Sequence, residues 1–377
     1  MIIYSVGSTT PNRRSRWCRF GLLAVASALL TTGCGASGSP KDGGSTSRAP
    51  GVIGIAMPKT TGRWPNDGNN LQLQLRLRGY GTDLKFTDND VKTQVQQVQA
   101  MVDRGDQAIV VAPVDGDSMT GVLANAAKKS IPVIAYDRIV SNTPNVAYYA
   151  TFDSYRVGVL QATYLVDHLG LKSGKGPFNI ELFGGSPTDN NSHFVYNGAM
   201  SVLGKYLNSG KLVVRSGQTA LTRITTLNWD GDIGAARLAT LVDGYYKTDR
   251  LDAVLAPSDG VAEGLVAKLQ KLGYGESGKL MPLVTGQDAA LDSMRSILAG
   301  GQSETVFKDT RLLAKIAAGM VDDVINRRKP KVNDTKTFFN GVKTIPTYLL
   351  IPVPVDKTNY QDVLVNGGYY TESQLTS

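Results

Sequence analysis

Thiols and imidazoles are almost missing from this chain of 377 residues: its two cysteines are Cys18 and Cys34, and its two histidines His168 and His193. Neither histidine stands at a metal-ligand spacing from a cysteine or from the other, so a metal centre and Ser-His-Asp hydrolysis have no support. Both cysteines fall within the first 34 residues, so no disulfide can staple the rest and stability has to come from burial. The apolar stretch from Phe20 to Leu30 falls short of the roughly 20 residues a membrane-spanning helix needs. Coiled-coil heptads, solenoid-period repeats and a helix-turn-helix are missing too, and lysines and arginines mix with acids along the chain. That mixture describes solvated surfaces and argues against nucleic acid as a partner.

What is present begins with an export signal. Arg13, Arg14, Arg16 and Arg19 precede the apolar stretch without any acid, and Thr31-Thr32-Gly33-Cys34 follows it. Small residues before a cysteine resemble the lipobox of bacterial lipoproteins, which implies cleavage after residue 33 and a diacylglycerol on Cys34. The match is incomplete, because Leu30 stands four residues before the cysteine where the usual aliphatic stands three before. The Arg13-Arg14 pair leaves twin-arginine export open beside the general route. Residues 34–50, rich in Gly, Ser, Pro and Lys, read as a flexible tether. Removing four arginines takes the formal charge from +8 to +4, too mild to suggest a polyanion. About 325 residues remain, enough for two domains.

From Val52 onward short β-branched runs alternate with longer helical patterns. Strands are expected at 52–57, 83–87, 107–112 and 132–137, and Val91, Val95, Val98 and Val102 mark one apolar stripe on an intervening helix. The pattern restarts, with strands at 178–183, 212–215, 252–256, 283–285 and 305–307, and a core-packed helix from Asp309 to Asn326. Apolar strands alternating with helices predict α/β architecture: two doubly wound, Rossmann-like parallel-sheet lobes with a cleft between them.

Four of these strands run into polar clusters: Asp137-Arg138, Gly184 to Asn191, Ser258-Asp259 and Gly286-Gln287-Asp288. Ligands of open α/β sheets bind beyond the carboxyl ends of the strands, and such side chains there suit a small, neutral, polyhydroxylated molecule. Two other readings compete. Gly273 to Leu280 has the glycine and lysine spacing of a phosphate-binding loop, but Leu280 replaces the magnesium-binding Ser or Thr, and the segment precedes a strand when it should follow one. Paired carboxylates at Asp137, Asp189, Asp259 and Asp288 could serve a glycosidase, yet Arg138, Asn191 and Gln287 beside them are expected to keep them ionised and unfit as general acids.

Ala135-Tyr136-Asp137-Arg138, Gly185-Ser186-Pro187-Thr188-Asp189-Asn190-Asn191, Gly286-Gln287-Asp288 and Thr305-Val306-Phe307-Lys308, in this order, resemble the substrate-binding proteins of ABC sugar importers. The likeness is to the branch that binds xylose and multiple monosaccharides, and it runs from about Val52 to Leu375. It implies the type I periplasmic binding protein fold: lobes 51–152 plus 309–341 and 153–308 plus 342–377, joined by a hinge of three crossings. It further implies that Arg63 and Trp64, with Asp137 and Arg138, meet the sugar from the first lobe, and Asp189, Asn191, Trp229, Asp288 and Lys308 from the second. Ser258 and Asp259 fall where xylose binders resemble Ser-Asn-Asp. Here Pro257 precedes Ser258, an amide contact is missing, and the sugar stays open.

These residues suit a pyranose, whose C–H face packs on an indole and whose hydroxyls both donate and accept. The expectation is a non-enzymatic, monomeric, lipid-anchored receptor outside the cell membrane, without a cofactor, that passes a monosaccharide to a permease and ATPase on separate chains. A sensor that shows its closed form to a chemoreceptor or receptor kinase, and an exported carbohydrate enzyme, are the alternatives. The sugar-responsive half of a repressor is opposed by the export signal.

Overall fold

The computed structural model describes residues 51–276 and 278–376. The signal expected at 1–33, Cys34 and the tether at 34–50 lie outside them. Twelve strands alternate with helices among the described residues: β1 (Val52–Met57), β2 (Gly81–Phe86), β3 (Ala108–Val111), β4 (Val133–Tyr136), β5 (Tyr148–Phe152), β6 (Phe178–Leu182), β7 (Leu212–Val213), β8 (Ala253–Leu255), β9 (Leu283–Val284), β10 (Thr305–Phe307), β11 (Thr347–Leu350) and β12 (Val353–Val355). The α-helices are α1 (Trp64–Arg76), α2 (Val91–Arg104), α3 (Thr120–Lys128), α4 (Ser154–His168), α5 (Asn191–Asn208), α6 (Leu221–Ile224), α7 (Gly231–Tyr245), α8 (Asp259–Lys271), α9 (Leu291–Ala299), α10 (Thr310–Ile325) and α11 (Glu372–Thr376). None is long and apolar enough to cross a membrane.

The strands form two sheets wound the same way. The first runs β11-β5-β4-β3-β1-β2 with every neighbour parallel. The second runs β7-β6-β8-β9, also parallel, and continues through a bridge between Gln287 and Val306 to β10 and its antiparallel neighbour β12. This is the type I periplasmic binding protein fold. Apolar side chains on both faces of the first sheet explain why its strands read as continuous runs: Ile53 and Ile55 pack with Leu71 and Leu313, while Ile109 and Val111 pack with Val98 and Leu123.

The chain crosses between the sheets three times: from β5 into α4, from β10 into α10, and from β11 to β12. The last crossing corrects the division expected at residue 341/342. Thr347–Leu350 pairs with β5 and so stands in the first sheet, which moves that passage to Ile351-Pro352. Two expected helices sit on their predicted faces. In α2, capped by Asp90, Val98, Met101 and Val102 are buried; α10, capped by Asp309, buries Leu313, Ala317, Met320 and Val321. α4 and α5 pack backbone on backbone, since a side chain at Gly158 would lie 1.9 Å from the Val195 carbonyl and one at Gly198 1.9 Å from that of Tyr155. The described residues of the phosphate-loop lookalike lie between α8 and β9. His168 closes α4, stacked on Tyr164 with Nδ1 2.9 Å from that residue's carbonyl.

Candidate sugar-binding cleft

β1, β4, β6, β8 and β9 all end at one cavity of about 410 Å³ between the two sheets. Its volume lies in the range of small-ligand sites. Of the residues singled out in the sequence, Arg63, Trp64, Asp137, Arg138, Asp189, Asn191, Trp229, Ser258, Asp288 and Lys308 line it. Asp259 does not. It is 1% exposed, and its oxygens accept from Ala290 N–H, Gln302 Nε2 and Thr305 Oγ1 behind the cavity wall. Lys59, Ser154, Glu263 and Gln287 also line the cavity. Gln287 belongs to the polar cluster already marked beyond a strand end, and Lys59 sits at a strand end like the others, so the rule that located Asp137 could have found it.

The first lobe supplies a ladder of alternating charge. Arg63 Nε lies 2.6 Å from Asp67, its Nη2 2.7 Å from Asp137 and its Nη1 3.5 Å from Asp288 of the other lobe. Trp64, which opens α1 with Pro65 behind it, lies between the Arg63 and Arg138 guanidiniums, each about 5.0 Å from its ring. Asp137 has a φ of 58°, and its carbonyl accepts from the Tyr149 hydroxyl, Thr151 Oγ1 and Asn191 Nδ2 at 2.6, 3.0 and 2.9 Å. Three donors on one oxygen keep the residue in its left-handed form. Burial opposes its ionisation, but Arg63, Lys308 and Arg138 hold the carboxyl below the usual range.

The second lobe answers with Asp189, Asn191, Trp229, Asp288 and Lys308. Arg138 Nε lies 2.9 Å from Asp189 Oδ2, an ion contact across the cleft whose direction is not that of a hydrogen bond. Trp229 Nε1 donates to Asp189 Oδ2 at 3.2 Å, and its ring covers Gly185, where a Cβ would come within 2.2 Å. Lys308, on the second crossing, is 2.8 Å from Asp288. Burial pushes the Asp189 carboxyl up despite Arg138, and pushes Asp259 up further. The cationic neighbours therefore hold down Asp137 as expected, whereas at Asp189 and Asp259 desolvation wins.

Planar guanidiniums, carboxylates and two amides line the walls and two indoles supply apolar faces, which is what a rigid ring carrying hydroxyls requires. Among the described residues no cluster of His, Cys, Asp or Glu is placed to hold a metal ion.

A model of the periplasmic binding protein domain matches residues 53–329. The chain belongs to the periplasmic binding protein family, and within it to the branch of sugar-binding proteins of ABC transporters. The multiple sugar-binding periplasmic receptor ChvE of Rhizobium radiobacter is 54% identical over 86% of this chain and 92% of its own. The multiple sugar-binding periplasmic protein SbpA of Azospirillum brasilense is 52% identical over 86% and 91%. The crystal structure of an ABC transporter solute-binding protein from Clostridium phytofermentans with bound β-D-glucose superposes with a TM-score of 0.83, at 44% identity over 86% of this chain and 99% of that one.

Proposed function

We propose that this protein captures a monosaccharide, an aldose such as glucose, galactose or xylose, in the cleft between its lobes and delivers it to an ABC permease and its ATPase on separate chains. The observation that carries the reading is the cavity itself, where Arg63, Asp137, Arg138 and Trp64 of one lobe face Asp189, Asn191, Trp229, Asp288 and Lys308 of the other. Ligand hydroxyls would replace or bridge the contacts that already join the lobes, Arg138 to Asp189 and Arg63 to Asp288. A sugar that touches both lobes favours their closed arrangement, and the hinge is the set of three crossings. The glucose in the Clostridium structure supports an aldose.

Diacylglyceryl-Cys34 is the proposed anchor, holding a monomer at the outer face of the cell membrane. A second reading, presentation of the closed form to a sensor, is favoured by the name of the receptor ChvE, which is 54% identical. An enzymatic role has less behind it, since the relatives named are binding proteins.

The test is a thermal-shift panel of pentoses, hexoses, disaccharides and polyols on the purified protein. A ligand that binds only the folded state raises the melting temperature by mass action. An aldose should give a clear rise, and silence across every monosaccharide would remove the reading.

A further inference from the structure

Asp288 presents its carboxylate to Lys308 and Arg63 from a backbone that few residues adopt: its φ is 107° and that of Ala289 is 50°. Two successive non-glycine residues in this region cost on the order of 1 kcal/mol or more each, so the surroundings have to impose the turn. Asp259 Oδ2 accepts the Ala290 N–H at 2.8 Å, Thr305 Oγ1 accepts the Ala289 N–H at 3.1 Å, and the Tyr370 hydroxyl donates to the Ala289 carbonyl at 2.9 Å. Having accepted from Ala289, Thr305 gives its own proton to Asp259, 2.9 and 3.0 Å from the two oxygens. Gln302 Nε2 adds a donor to Oδ1 at 2.9 Å. Gly286 leaves the room, since a Cβ there would lie 2.1 Å from Asp259 Oδ1.

The first lobe offers a control within the same chain. β3 runs into Ala112-Pro113-Val114-Asp115-Gly116, and β8 into Ala256-Pro257-Ser258-Asp259-Gly260. Asp115, in the matching place, accepts from Asp117 N–H and does no more than cap a short helix. Asp259 instead turns into the space above Gly286.

We propose that Asp259 is a positioning residue for ligand binding: it braces the Asp288–Ala289 turn in its left-handed form and so fixes where the Asp288 carboxylate meets a ligand hydroxyl. This rests on reading the cleft as a sugar site. A neutral asparagine keeps an acceptor for Ala290 N–H, and the Gln302 Nε2 that its amide nitrogen would face keeps the Glu304 carbonyl, 2.9 Å away, as an acceptor. Loss of the acceptor, rather than of charge alone, is therefore what releases the turn.

Two measurements test the brace. Calorimetry with D-glucose on the full protein should show Asp259→Ala weaker by about fivefold to thirtyfold, with Asp259→Asn largely restored. In the Asp288→Ala background Asp259→Ala should cost almost nothing more, whereas with Asp137→Ala the losses should add. Full additivity with Asp288→Ala, or unchanged affinity in Asp259→Ala, overturns the proposal. Should that variant fail to fold, the near-isosteric Thr305→Val takes its place, with a severalfold loss expected and the same loss of effect when Asp288 is absent. Hydrogen exchange at the Ala289 and Ala290 amides of sugar-free protein reads the turn without a ligand. Faster exchange in Thr305→Val and Asp259→Ala is expected, and wild-type protection in both sinks the brace whatever the cleft binds. Failure of wild type to bind any aldose, with exchange still accelerated, would remove the sugar reading and leave the brace standing.

Discussion

Asp137 and Asp288 occupy equivalent places in the two lobes, each just beyond the fourth strand of its sheet counted in chain order, and each with a positive φ. The means that hold them differ. Asp137 is held through its own carbonyl, which collects three donors, one of them Asn191 from the other lobe. Asp288 is held from behind, through the amides that follow it. Their carboxylates differ as well: that of Asp137 is 7% exposed and tied to Arg63 at 2.7 Å, that of Asp288 20% exposed and shared between Lys308 and a more distant Arg63. Duplicated winding thus yields one carboxylate locked into a buried network and one set at a more open wall.

Removing the buried member should hurt most. Asp137→Ala leaves the Arg63 guanidinium short of a partner inside the protein, a loss of about 4 kcal/mol or a thousandfold in affinity, with the fold retained. Titration calorimetry measures it, and near-normal affinity would break the cleft assignment. The same network predicts a pH dependence. Burial first, and then Asp137 against the pull of Arg63, push the Asp67 carboxyl up to about 6. That lies above the roughly 3.9 of an unfolded chain, so the folded protein holds the extra proton between the two values. Asp67 therefore costs stability at pH 7, and the cost fades as pH falls through 6 toward 4. Urea unfolding should show wild type gaining on the order of 2 kcal/mol relative to Asp67→Asn between pH 7 and 4, and a flat difference would refute it.

The more open member should cost less. Asp288→Ala is expected to weaken binding about thirtyfold, near 2 kcal/mol, because water can take over part of what Lys308 loses. An effect equal to that of Asp137→Ala would erase the distinction between the lobes. Smallest is Gly185→Ala, whose added methyl has to displace the Trp229 ring: a loss of about fivefold to tenfold, near 1 kcal/mol, with quenched or shifted indole fluorescence as a second readout.

Much of this was legible because both signals are local. A parallel strand buried on both faces writes itself as an apolar run, and its carboxyl end as an abrupt polar cluster, so Asp137, Asp189, Ser258 and Asp288 could be placed before any pairing was known. Two things were not local. The sheet to which Thr347–Leu350 belongs is decided by pairing with a strand some two hundred residues earlier, and the division that the resemblance implied put it in the other lobe. Asp259 follows Ser258 by one residue, but entry into α8 turns successive side chains apart, so only Ser258 faces the cavity. Trp229 does not directly follow a strand: consecutive left-handed residues Asn228 and Trp229 bring its ring over Gly185, and only likeness to relatives marked it in advance.

The close seating of α4 on α5 has a mechanical meaning. α4 starts at the first crossing and α5 starts with Asn191, whose Oδ1 accepts from Ser154 Oγ at 3.2 Å. Because the two backbones touch at Gly158 and Gly198, no layer of side chains lies between them to flex. On the proposed hinge, a rotation at Asp153 would carry Asn191 with it, so a residue that lines the cleft and the first crossing would move as two teeth of one gear.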